Sequence, residues 1–286
     1  MQNDLVDVLR HTKRFKALYG NLHCKLEALQ SLVGMDLVKK QVVEQLQFLL
    51  CNDGATDGHY LHTVIQGPSG CGKSTLARVL FELWSEMQVF TNRKFTVLHR
   101  SDLVGGYMGQ TAAKTKKTLM QLKGGCIFID EFYSLVYGND AYGRECVDVL
   151  NTFMSEEKDT VVIVAGYKGE MQRVFSAQPG LERRFAWTFT VPKYTAEELY
   201  HIFVQQLSAH NWQLNDPPAV LALFQQHASK FNFAGGDTLN LCLKSKIQYA
   251  KSAWKHSGNK CIRTASVEAA IRIHFVEKNS TNNMYI

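Results

Sequence analysis

Two stretches decide the fold: Thr63-Val64-Ile65-Gln66-Gly67-Pro68-Ser69-Gly70-Cys71-Gly72-Lys73-Ser74 and Cys126-Ile127-Phe128-Ile129-Asp130-Glu131. In the first, an apolar run leads into Gly67, four residues, then Gly72, Lys73 and Ser74, and a helix-like stretch from Thr75 to Leu80 follows. Strand, glycine loop and helix in that order are the context in which this pattern cradles phosphate. The glycines let backbone N–H groups turn inward, and the helix N-terminus adds partial positive charge. Lys73 is then placed to reach β- and γ-phosphates and the Ser74 hydroxyl to bind magnesium. Gly67, Pro68, Ser69, Gly70, Cys71, Gly72, Lys73, Ser74 and Thr75 are the candidate nucleotide-binding residues. The second stretch is four apolar residues followed by two acids, which fits a buried strand ending at the carboxyl edge of a sheet, where open α/β folds bind ligands. There Asp130 would hold magnesium and Glu131 would polarise the attacking water. ATP with Mg2+ is the expected ligand.

Outward from these stretches, five short β-rich runs alternate with helix-like or loop sequence: 61–66, 94–99, 126–129, 160–165 and 186–191. The third and fourth are continuously apolar, as central parallel strands covered on both faces should be. The alternation points to a doubly wound α/β sandwich with a five-stranded parallel sheet. Before it, Leu22, Leu26 and Leu29, and then Val38, Val42, Leu46 and Leu49, recur at helical spacing. Turn formers over 52–58 punctuate the chain. After Pro192 the sequence reads as helices, opened by Thr195-Ala196-Glu197-Glu198 as N-cap and first turn and broken at Asp216-Pro217-Pro218. The expected organisation is a helical extension over 1–30, a nucleotide-binding α/β domain over 31–192 and a small helical lid over 193–286.

Composition narrows the setting. The 286 residues are 45% hydrophobic and 20% charged, an ordinary globular balance in a chain long enough for two cores. The seven cysteines are odd in number and lack CxxC spacing, which argues against a disulfide framework or a zinc site and for a reducing compartment. No apolar run nears the ~18 residues needed to span a bilayer. A cytoplasmic protein with no membrane partner is expected. The formal charge of +6 permits an acidic partner, yet no concentrated basic patch or nucleic-acid motif indicates one.

Further segments, in order, extend the pattern: Arg100-Ser101-Asp102-Leu103-Val104-Gly105-Gly106-Tyr107-Met108-Gly109-Gln110-Thr111, Gly125 to Glu131, Val164-Ala165-Gly166-Tyr167-Lys168, and Gln178-Pro179-Gly180-Leu181 before Arg183-Arg184-Phe185. With the phosphate loop, the set resembles the AAA+ ATPases and, more narrowly, their CbxX/CfqX branch of red-type Rubisco activases and sporulation stage V protein K-like relatives. The resemblance covers more than half of the chain. It implies an ATP hydrolase in an oligomeric ring, a hexamer, that remodels or threads a protein substrate through a central pore. Tyr107 and Met108 would form the pore loop, the aromatic gripping extended chain. Arg184, with Arg183 as the close alternative, would be the finger reaching a neighbour's γ-phosphate. Tyr167 matches the residue that senses nucleotide at the end of the fourth strand, and Val33-Gly34-Met35-Asp36 matches the segment lining the adenine pocket. The lid departs from the pattern: where an arginine is expected near the start of its third helix, the chain has Gly235-Gly236-Asp237-Thr238-Leu239-Asn240. Two other functions stay open at this level: a nucleic-acid-linked loader or helicase-like ATPase, and a slow nucleotide-gated assembly subunit.

Overall fold

The computed structural model describes residues 21–51, 61–107, 109–136, 140–253 and 260–282. The turn formers at 52–58, most of the N-terminal extension and Met108 lie outside them. By its internal contacts the chain divides into two compact units: Met1–Pro68 with Gly72–Pro192, and Ser69–Cys71 with Lys193–Ile286.

The first unit opens with α1 (Leu22–Ser31) and α2 (Asp36–Cys51). A parallel sheet follows, built from β1 (Thr63–Gln66), β2 (Phe95–Leu98), β3 (Cys126–Ile129), β4 (Val161–Gly166) and β5 (Trp187–Thr190) in the order β2-β3-β4-β1-β5. Each expected β-rich run therefore coincides with a strand, β4 extending one residue past its expected end. The connections carry α3 (Lys73–Glu86), α4 (Arg100–Leu103), α5 (Thr111–Met120), a 3-10 turn (Phe132–Val136), α6 (Ala141–Glu156), α7 (Lys168–Ala177) and α8 (Pro179–Glu182). Every residue of β3 and β4 is buried, as strands covered by helices on both faces must be. Their apolar side chains meet those of α6 (Cys146, Val147, Leu150, Met154) and α7 (Met171, Val174) in one core. A polar pair also sits inside: the fully buried Trp84 of α3 donates its indole N–H to the Gln45 carboxamide oxygen of α2 at 3.1 Å. A buried indole without such an acceptor would leave a desolvated donor, costing about 1–3 kcal/mol.

The second unit contains α9 (Ala196–Ser208), α10 (Pro217–His227), α11 (Ala234–Ala253) and α12 (Thr264–Asn282). Thr195 and Glu198 form a reciprocal capping box on α9, and Asp216 caps α10 at its Pro-Pro start, as their sequences require. The wholly helical reading of this region needs one correction. Gln213–Leu214 and Cys261–Ile262 pair as a two-residue parallel ribbon, β6 and β7. Among the described residues no helix is long and apolar enough to cross a membrane.

His62, just ahead of β1, gives the fold a pH dependence. It is buried, and its Nδ1 accepts the Val162 N–H at 3.0 Å, which only the neutral ring can do. Burial lowers its pKa from 6.5 to about 4, with the nearby Arg184 charge acting in the same direction. The unfolded chain therefore binds a proton that the folded chain refuses between these values, and stability falls as pH drops from above 6.5 toward 4. The full loss is about 3 kcal/mol, with about 2 kcal/mol gone by pH 5. Urea unfolding at pH 7 and pH 5 should show this loss, and His62→Gln should remove most of the difference.

Candidate nucleotide site

The sheet's register assembles the site. Gln66 is level with Gly166, and Ile129 with Val164, so the carboxyl ends of β1, β3 and β4 open side by side. The Gly67 N–H continues the ladder by donating to the Gly166 carbonyl at 3.1 Å. Gly70 and Gly72 then take φ values of +69° and +89°, a left-handed backbone in which a side chain would be strained. That turn delivers the chain into α3 at Lys73, leaving the helix's first N–H groups directed out of its end.

Lys73 is half-buried, and its ammonium donates to the carbonyls of Pro68 (2.8 Å) and Gly67 (3.2 Å). It also stands 5.3 Å from the centroid of the Tyr167 ring. The exposed Ser74 hydroxyl donates to Asp130 Oδ2 at 3.1 Å, while Asp130 Oδ1 accepts the Glu131 N–H at 2.9 Å. A hydroxyl and a carboxylate side by side are hard oxygen donors suited to magnesium, and the ammonium and helix N-terminus suit the phosphates it bridges. The residues present therefore fit ATP with Mg2+.

Glu131 is exposed and adopts φ +49°, rare for a residue with a side chain. It caps the tight turn into Phe132–Val136, where the Ser134 N–H reaches the Glu131 carbonyl at 2.7 Å. Sequence reasoning missed what holds this turn. Arg100, at the start of α4, donates to the carbonyls of Ser134 (2.7 Å) and Leu135 (3.1 Å) and pairs with Asp140. Asp140 in turn caps α6 by accepting the Tyr142 N–H. The Arg100 hydrogen bond holds the Asp140 carboxyl below the usual carboxylate range. One turn into α6, Gly143 lies so close to the 3-10 turn that a Cβ there would fall 1.4 Å from the Leu135 carbonyl oxygen.

Tyr107 is 75% exposed in the loop between α4 and α5, with Gly105, Gly106 and Gly109 around it, so it is not a core tyrosine. Arg184 is half-buried and its Nε donates to Asn151 Oδ1 of α6 at 3.3 Å, whereas Arg183 is exposed. Cys71 is buried, as a small filler side chain would be. Met35 is buried too, in a Gly34-Met35 turn with φ of +63° and +57°. In the second unit Asp237 is 1% exposed and committed to structure. Its Oδ2 accepts the Phe233 N–H at the start of α11, and its Oδ1 lies 3.2 Å from His274 Nε2 of α12.

A P-loop above the carboxyl edge of a β2-β3-β4-β1-β5 sheet, with Asp-Glu on the adjacent β3, defines a class of nucleotide-hydrolysing domain. Residues 63–193 match the ATPase family associated with various cellular activities (AAA). The chain is 31% identical over 244 residues to the chloroplastic ribulose bisphosphate carboxylase/oxygenase activase of Cyanidioschyzon merolae, covering 81% of this chain and 83% of that protein. It therefore belongs to the AAA family of ATPases, in the branch of CfxQ-like proteins. It is also 32% identical over 230 residues to a putative cfxQ-like protein of Acanthamoeba polyphaga mimivirus, covering 78% of this chain but only 56% of that relative's length. Among solved structures, a RuvB mutant of Thermotoga maritima superposes with a TM-score of 0.63 at 20% identity, over 86% of this chain and 72% of that one, a likeness of fold.

The two halves of the site should separate in a binding experiment. Lys73→Ala should weaken ATP binding about 10- to 100-fold, the range for losing a charge-assisted contact. Asp130→Asn should bind ATP in EDTA as the parent does, yet lose the gain in affinity that magnesium gives. Calorimetric titration with and without Mg2+ checks both.

Proposed function

We propose that this chain hydrolyses ATP at sites completed by a neighbouring copy in a ring, a hexamer by family resemblance, and uses the cycle to pull on a protein segment. The exposure of Tyr107 carries this reading. An aromatic that the core does not cover, set among glycines, can close on extended polypeptide of almost any sequence. The names of the relatives, one of them a Rubisco activase, add support for work done on other proteins.

In this reading Lys73 holds the phosphates, Ser74 and Asp130 hold magnesium, and Glu131 orients water for attack on the γ-phosphate. The metal, when bound, offsets charge on the β- and γ-phosphate oxygens. Arg184 approaches the neighbour's γ-phosphate, with its guanidinium steadied by Asn151; Arg183 beside it is the alternative finger. A cation there stabilises charge that develops on the transferred phosphoryl group.

One observation favours a slower cycle. Asp237, near the position where a lid arginine is expected, is tied to Phe233 and His274, and Asn240 carries no charge. A nucleotide-gated assembly subunit that turns over slowly is the second reading. Single-turnover hydrolysis in the assembled state separates the two.

Specific ATPase activity should rise with protein concentration, because the finger acts in trans. Arg184→Ala should cut assembled activity about 10³-fold or more while leaving ATP affinity intact. Doping it into Glu131→Gln subunits should restore turnover at mixed interfaces. Tyr107→Ala should hydrolyse ATP at the parent rate and fail to remodel. Electron microscopy of Glu131→Gln with ATP should show rings with density beside Tyr107, and a persistent monomer would overturn the ring.

A further inference from the structure

A base acts only when its carboxylate is aligned with the water it activates. Glu131 is exposed, so packing does little to fix its side chain, and its direction is set first by the backbone that carries it. That backbone sits at φ +49°, with the Glu131 carbonyl accepting the Ser134 N–H at 2.7 Å inside the 3-10 turn. Whatever holds the turn therefore bears on the acid.

The last carbonyls of a helical turn have no partner within it. Here one nitrogen of Arg100, Nη1, donates to those of both Ser134 (2.7 Å) and Leu135 (3.1 Å), while Nη2 pairs with Asp140. Gly143 leaves room for this grip: a Cβ there would lie 1.4 Å from the Leu135 oxygen and 3.3 Å from Arg100 Nη1. The short helix on which Arg100 stands is itself fixed. Asp102 accepts the His99 N–H at 2.7 Å ahead of α4, and Thr115 and Lys114 of α5 donate to the carbonyls of Leu103 (3.0 Å) and Val104 (2.9 Å) behind it. The turn's own Tyr133 ring packs against Gly166, where any Cβ would come 2.9 Å from its Cδ1, and beside the Tyr167 ring, with centroids 5.4 Å apart. The turn is thus held from α4 through its carbonyls and from the end of β4 through its ring.

We propose that Arg100 is a positioning residue for ATP hydrolysis: its guanidinium, anchored on α4, fixes the turn after β3 and with it the direction of Glu131. This rests on the reading of Glu131 as the group that orients water. A guanidinium suits the task because its two terminal nitrogens lie in one plane at a fixed spacing, so two carbonyls and a carboxylate are met together; an ammonium offers a single nitrogen.

Arg100→Gln removes the fork, and Arg100→Lys keeps a cation beside Asp140 with one nitrogen for three acceptors. Both are read in full-length protein, at concentrations where specific activity no longer rises, with kcat counted per ADP-binding site so that unfolded protein does not enter. Arg100→Gln should lower kcat about 10- to 100-fold, the range for a slightly misplaced catalytic group, and Arg100→Lys should lower it less. KM for ATP and affinity for ADP should stay near the parent values. The route is tested by repeating Arg100→Gln in a Glu131→Gln background and following single-turnover hydrolysis of radiolabelled ATP. If Arg100 works through Glu131, the second loss is absent or much smaller. Parent-like kcat per site, a loss confined to KM, an equal loss in both backgrounds, or no ADP binding by either Arg100 variant would each overturn the proposal. Parent-like hydrolysis by Glu131→Gln alone would instead remove the assignment of Glu131, so the two failures are distinguishable.

Discussion

The position of β4 is the constraint on which the site depends. It is buried along all six residues and hydrogen-bonded in parallel to β1 on one side and β3 on the other. Those ladders level the ends of three strands, so that Gly67, Asp130 and Tyr167, far apart in sequence, leave the sheet together. A slip of one residue along β4 would turn Gly166 to the opposite face and remove the space that the Tyr133 ring occupies. Parallel pairing also demands helices on both faces, and these helices supply the side chains that steady the loops.

What the chain reveals locally follows from how far each interaction reaches. Cys126–Ile129 and Val161–Gly166 are legible because continuous apolar runs have little alternative to a doubly covered strand. The phosphate loop is legible because its glycines, lysine and serine act within eight residues of one another. Tyr107 could be singled out, but only the fold distinguishes a loop tyrosine from one packed in the core. Arg184 could be named, but its hold on Asn151 joins residues 33 apart through the docking of α6. The grip of Arg100 on Ser134 and Leu135, and the contact of Tyr133 with Gly166, are likewise set by strand order and not by neighbours in sequence.

The second unit shows the same limit. Thr195 and Asp216 announce their helices because a cap acts within three residues. The β6–β7 ribbon left no signal, since two-residue strands have no period to detect and each finds its partner across most of the unit. Asp237 reads from sequence as a departure from an expected arginine. In the fold it is a buried carboxyl joining the start of α11 to His274 of α12, and the backbone N–H it accepts is a contact that an arginine, which only donates, could not make.

Gly143 carries a mechanical consequence. The first turn of α6 rests on the Leu135 carbonyl, in the 3-10 turn that follows Glu131, and its Asn151 holds Arg184. About 12 Å of helix separates these two points, and close-packed interiors pass displacement along instead of absorbing it. The helix is therefore a strut with one foot against the turn that follows Glu131 and the other beside Arg184. A displacement of the Arg184 side chain is thus passed along the helix to the turn beside Glu131.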